Sequence, residues 1–166
     1  MIEEYLTRFD ATDRDRVFRF FAVFSRAECA LKRSGFLHTG SHGQAEPDWN
    51  RYSDNIASGL AAIDDTAFVE QKGYLLSHPP ERQVPDGHDV KWAPNPRRND
   101  ETDARYLLRV VRDVRNNLFH GGKYAPPDGP ITELARDRRV IDAAMTVLRM
   151  SLGLNDRVAT VFGEAL

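Results

Sequence analysis

The chain has 166 residues, with 23 Lys and Arg against 25 Asp and Glu and a formal net charge of −2. Such a length fits one domain with a real core. The near-neutral balance argues against a generally basic nucleic-acid binder, so any RNA contact must be a local patch. A lone cysteine, Cys29, excludes an intramolecular disulfide framework and suits a reducing cytoplasm, where it serves as a small residue beside the core. No apolar run is long enough to cross a bilayer and no signal segment is expected at the start, so neither a membrane partner nor export is anticipated.

The first long element is expected from about Thr12 or Asp13 to Ser34. Either of those two residues can accept the amide hydrogens at its start, and Gly35 supplies the stop. Val17, Phe20, Phe21, Phe24 and Leu31 make its apolar face. Glu28 falls about 80° round from Phe20, between Val17 and Phe21, and so points inward. A carboxylate there is costly unless a cation meets it. Two readings stand: an exposed pair with Lys32, four residues on, or a carboxylate that holds an arginine of the central helix, Arg115 above all.

Residues 36–48 form a connector. His38 and His42 would suit a metal only on a helix, and Gly35, Gly40 and Gly43 argue against one, so these are solvated loop histidines and no metal site is expected. A second helix is expected from about Asp48 or Ser53 to Lys72, with Tyr52, Ile56, Leu60, Ile63 and Ala67 inward and Gly73 after it. Residues 75–99 hold Pro79, Pro80, Pro85, Pro94 and Pro96, with a turn at Asp86-Gly87, and are expected as a long loop. Trp92 would pin that loop to the body. Arg97 and Arg98 at its end either extend a basic face or are ordinary solvated arginines.

The central helix begins near Asn99–Glu101. Val110, Val111, Val114 and Leu118 give it a buried stripe. Arg109, Arg112, Asn116 and His120, spaced three, four and four apart, form a second, polar stripe. Gly121-Gly122 ends the helix, which places His120 at a carbonyl-rich C-terminus that favours imidazolium. After a Pro/Gly turn at 125–130, another helix spans about Thr132 to Leu152, with Leu134, Ile141, Ala144, Met145 and Leu148 as its seam. Arg136, Arg138 and Arg139 read as its solvated face. Asn155 or Asp156 caps a short last helix through Phe162. No alternating strand pattern survives, so the expectation is all-α: a four-to-five-helix up-down bundle.

An arginine five residues before a histidine is a short motif that chance supplies readily. Here it continues as Arg115-Asn116-Asn117-Leu118-Phe119-His120 at the end of a well-formed amphipathic helix. The stretch RNNLFHGGKY resembles the R-N-x-x-x-H signature of the HEPN superfamily. That resemblance implies a single HEPN-like helical domain over 1–166 and a bundle of HEPN type. It further implies a metal-independent endoribonuclease of a toxin–antitoxin or defence system that needs no cofactor. Attack would come from the RNA 2′-hydroxyl in a cleft formed by two copies of the motif across a homodimer, with an antitoxin protein as a further partner.

On this reading Arg115 binds the scissile phosphate, His120 moves a proton and Asn116 orients His120 or donates to the phosphate. Arg112, Lys123 and Tyr124 would contact RNA, and Glu28 with Lys32 would support Arg115 from behind, as a polar residue on an early helix does in the family. One departure is visible: Gly121-Gly122 separates His120 from Tyr124, whereas some members place a tyrosine two residues after the histidine. The alternative from another class is a non-catalytic HEPN-like nucleotide-binding or protein-interaction module, in which Arg115 and His120 are satisfied structurally.

Overall fold

The structure is a computed structural model that describes residues 11–119 and 134–164. In chain order the elements are α1 (Ala11–Arg33), β1 (Leu37–Thr39), β2 (Ala45–Pro47), α2 (Trp49–Ala61), α3 (Thr66–Ser77), β3 (Arg82–Asp86), β4 (Asp89–Ala93), α4 (Asp103–Phe119), α5 (Leu134–Leu152) and α6 (Asp156–Gly163). The protein is therefore mostly helical but not all-α, because two antiparallel hairpins interrupt the helices. No helix among the described residues is long and apolar enough to cross a membrane.

α1 buries Phe20, Phe24, Ala27, Ala30 and Leu31, which recur at three and four residues. Gly35, at φ 92°, ends it: the amide of Phe36 reaches the Leu31 carbonyl (3.0 Å) and that of Gly35 the Lys32 carbonyl (3.2 Å). A side chain at that φ would be strained, which is why glycine stands there. Phe36, delivered by this turn, packs edge-on against Tyr52 at 5.2 Å. At the other end of α1, Asp13 meets two arginine side chains. It lies buried inside the helix and takes both Nε and Nη2 of Arg138 at 2.7 Å, with Arg16 at 3.1 Å. Arg138 is thus an ion-pair partner of a buried carboxylate while its side chain stays 41% exposed on the expected solvated face. Arg139 is not simply solvated, since its guanidinium covers the Tyr74 ring at 4.1 Å.

The single helix expected from 48 to 72 is two. α2 starts on Asp48, whose side chain accepts from the Arg51 amide (3.0 Å), and stops at Ala61. Asp65 then caps α3 by accepting from Phe68 N (2.8 Å). The apolar period had masked this second start, an acidic residue three positions before a buried aromatic. Consequently Ala67 is exposed, Gly73 lies inside α3, and Leu75 belongs to the core instead of opening a loop. Tyr52 Oη donates to the Ser151 carbonyl (2.7 Å) and ties α2 to the end of α5; burial pushes its phenol well above its usual pKa.

Both stretches expected as loops contain strands. β1 and β2 pair with Leu37 opposite Pro47, and His38 meets Glu46 across the ladder at 3.4 Å. β3 and β4 close on the two-residue turn Gly87-His88, Gly87 having φ 66°. With Asp86 opposite Asp89 as the closing pair, Pro85 stands where its missing N–H faces outward, so the proline costs no ladder bond. Trp92 is 42% exposed on this hairpin and does not pin it to the body. α4 starts later than expected, at Asp103, because the Thr102 hydroxyl and carbonyl accept from Arg105 N (3.3 Å) and Tyr106 N (2.9 Å). Its Leu107, Val110, Val111 and Val114 are buried and pack into one cluster with α1, α2, α5 and Val158 of α6.

Candidate functional site

The polar side of α4 carries three arginines three residues apart, each held differently. Arg109 is buried and saturated. Its Nε and Nη2 grip the two oxygens of Glu101 at 2.7 and 2.9 Å. Nη1 donates to Asn95 Oδ1 (2.9 Å) and Asp113 Oδ2 (3.3 Å), and Nη2 also to the Pro96 carbonyl (3.0 Å). Asn95 Nδ2 closes the circuit on Asp113 (2.8 Å). This clamp fixes the segment between β4 and α4. The Arg109 hydrogen bonds hold Glu101 below the usual carboxylate range, while burial pushes Asp113 above it against the pull of Arg109 and Asn95.

Arg112, one turn on, has no such partners. Its guanidinium lies over the Trp49 ring at 6.0 Å, and among the described residues no carboxylate reaches it within 4 Å and no acceptor takes a hydrogen bond from it. The residue is half-buried. Burial lowers its pKa first; Asp113 and Glu28 oppose that from a distance, and the like charges of Arg109 and Arg98 add to it.

Arg115 follows on the turn after. Its guanidinium covers the Phe24 ring of α1 at 5.6 Å, and Nη1 donates to Asn116 Oδ1 at 3.0 Å. The two motif residues are thereby coupled to one another. On the other side of the helix, Asn117 Nδ2 donates to the Glu81 carbonyl (2.8 Å), tying the chain after α3 to α4.

Of the residues expected from sequence, Arg112, Arg115 and Asn116 share α4, where Arg115 bonds Asn116 and Arg112 lies apart over Trp49. Glu28 does not meet Arg115. It is half-buried on α1, one turn beyond the Phe24 ring that Arg115 covers, and among the described residues it makes no ion pair within 4 Å with Arg115, Arg112 or Lys32. Its influence is a longer-range field on Arg112. His120, Lys123 and Tyr124 lie outside the described residues. The clamp of Asn95, Glu101 and Asp113 went unread, although Arg109 and Asp113 at i and i+4 were a visible signal of it. Among the described residues no group of three His, Cys, Asp or Glu could hold a metal ion.

Chemically, the helix end offers one neutralised arginine that builds the wall, one arginine bonded to the neighbouring amide, and one open cation on an indole. Planar guanidiniums on aromatic faces keep their in-plane donors available to an oxyanion. No family model matches the chain, and comparison with curated proteins and with solved structures gives no match either.

Proposed function

We propose that this protein is a metal-independent endoribonuclease whose chemistry is carried by Arg115, Asn116 and His120. The observation that supports it most is the run of α4 through Phe119. Arg115 and Asn116 stand on that run, joined by a 3.0 Å hydrogen bond, with His120 following Phe119 in the sequence. In this reading Arg115 binds the scissile phosphate and offsets the charge that grows on it. The 2′-oxygen attacks phosphorus as its proton is drawn off by an imidazole, and the 5′-oxygen departs with a proton from an imidazolium. The products are a 2′,3′-cyclic phosphate and a 5′-hydroxyl. One chain supplies His120 for only one of those transfers, so a symmetric homodimer that brings two motif ends to a shared groove completes the pair.

Arg112, Lys123 and Tyr124 extend the RNA contact. A toxin–antitoxin or defence setting in the cytoplasm, with an antitoxin as partner, accompanies this proposal through the HEPN resemblance. The non-catalytic module keeps one observation in its favour: Arg115 is half-buried on Phe24. Incubating the protein with total RNA in EDTA separates the two. Cleavage leaving cyclic-phosphate ends, abolished by His120→Ala and by Arg115→Ala in folded variants, supports the nuclease. Intact RNA, or variants that cleave like the parent, supports the module.

A further inference from the structure

We infer that Arg112, seated on Trp49, is a phosphate-binding subsite distinct from the Arg115–Asn116 pair, and that its ligand is a phosphate oxyanion. Its assignment to RNA rests on the proposed function; binding of the anion itself does not.

The inference comes from asking why the fold holds Arg112 as it does. A half-buried guanidinium ordinarily gains a carboxylate, as Arg109 does with Glu101 three residues earlier. Arg112 feels Asp113 and Glu28 at a distance and pairs with neither. Asp113, the next residue, spends Oδ2 on Arg109 and Asn95. Glu28 stays beyond ion-pair reach, and Glu101 is gripped by Arg109 on both oxygens. Arg98, on the segment the clamp fixes, is exposed, and its guanidinium likewise makes no hydrogen bond or ion pair among the described residues. It acts on Arg112 as a like charge. A half-buried cation that no carboxylate reaches among the described residues is an arrangement that an anion relieves.

Geometry gives the seat its walls. The Trp49 ring forms its floor under Arg112, and Trp49 itself is only 4% exposed, so the ring cannot swing aside. Its Nε1–H is buried and meets no acceptor among the described residues. The Arg109 clamp ties the segment that leads to Arg98 onto α4 before any ligand arrives. A phosphate suits the planar fork of Arg112, which can bond two of its oxygens at once.

The test uses Trp49 as its own reporter. The chain has two tryptophans, and Trp92→Phe on the exposed hairpin leaves Trp49 alone. Emission is followed while inorganic phosphate is added, with chloride at equal ionic strength as control and calorimetry in parallel. Saturable binding to phosphate and not to chloride is expected, weakened at least tenfold in Arg112→Gln. Repeating the titration with a nucleoside monophosphate and a short single-stranded RNA identifies the source, the RNA binding tighter than inorganic phosphate if the subsite serves a strand. Absence of any saturable signal or heat up to tens of millimolar phosphate overturns the inference, as does Arg112→Gln binding like the parent. Loss of RNA cleavage with phosphate binding intact would remove the nuclease reading alone.

Discussion

Arg109 and Arg112 stand three residues apart on α4, and their surroundings differ in kind. The first has Glu101 on two nitrogens, Asn95 and Asp113 on a third and the Pro96 carbonyl besides. The second has an indole face and no acceptor among the described residues. Both belong to the same polar stripe, so helical periodicity alone assigns them the same role. What separates them is the segment from Asn95 to Glu101, which brings its acceptors to one and not to the other. The difference teaches how a near-neutral protein can present local positive charge: it neutralises one arginine internally and uses it to hold the wall beside another.

The largest effect should come from breaking the saturated member. Arg109→Met leaves Glu101 and Asp113 without their cation and should cost about 3–5 kcal/mol of unfolding free energy, read by chemical denaturation. Its pH dependence sharpens the point. Glu101 has a folded pKa below its unfolded one, so its stabilisation is complete above the usual carboxylate range and is lost as pH falls through the depressed value. Asp113 is raised by burial and works in the opposite sense, favouring the fold when protonated. In Arg109→Met the acid-side loss due to Glu101 should shrink, giving a flatter stability profile below the usual carboxylate range. A profile that parallels the parent would show that the clamp is not the source.

An intermediate effect is expected at Arg115. Removing it as Arg115→Ala forfeits the stack on Phe24 and the bond to Asn116, together about 1–2 kcal/mol, measurable by the same denaturation. A cost as large as that of Arg109→Met would place Arg115 in the clamp's class and favour the non-catalytic module. The smallest effect belongs to Arg112. Arg112→Gln relieves an unpaired, half-buried charge and should change stability by less than about 1 kcal/mol, in either direction.

Much of the helical layout was readable from periodicity. α1, α5 and α6 end within a few residues of where Phe20, Phe24 and Leu31, or Ile141 and Leu148, place them, and the valines of α4 face the core as their spacing requires. The hairpins were not readable, because β1 and β2 span three residues each and β3 contains Pro85, which ordinarily argues against a strand. Only the register of the pair shows that this proline faces outward. The break between α2 and α3 was hidden for a related reason: the apolar period carries on through Ile63 while the capping side chain of Asp65 restarts the helix. For the candidate site, sequence located the arginines but not their partners. Whether Arg112 or Arg109 is neutralised depends on Asn95 and Glu101, up to 14 residues away along the chain, and whether Glu28 reaches Arg115 depends on the Phe24 ring between their two helices.

Salt dependence of RNA binding tests the division of α4 most directly. Affinity for a short single-stranded RNA is measured across a range of salt concentrations for the parent and for Arg112→Gln. Each phosphate contact on a single strand contributes about 0.7 to the slope of log K against log salt. The account predicts a slope smaller by roughly that amount in Arg112→Gln, with weaker binding at every salt concentration. Identical slopes and affinities for the two proteins would contradict it.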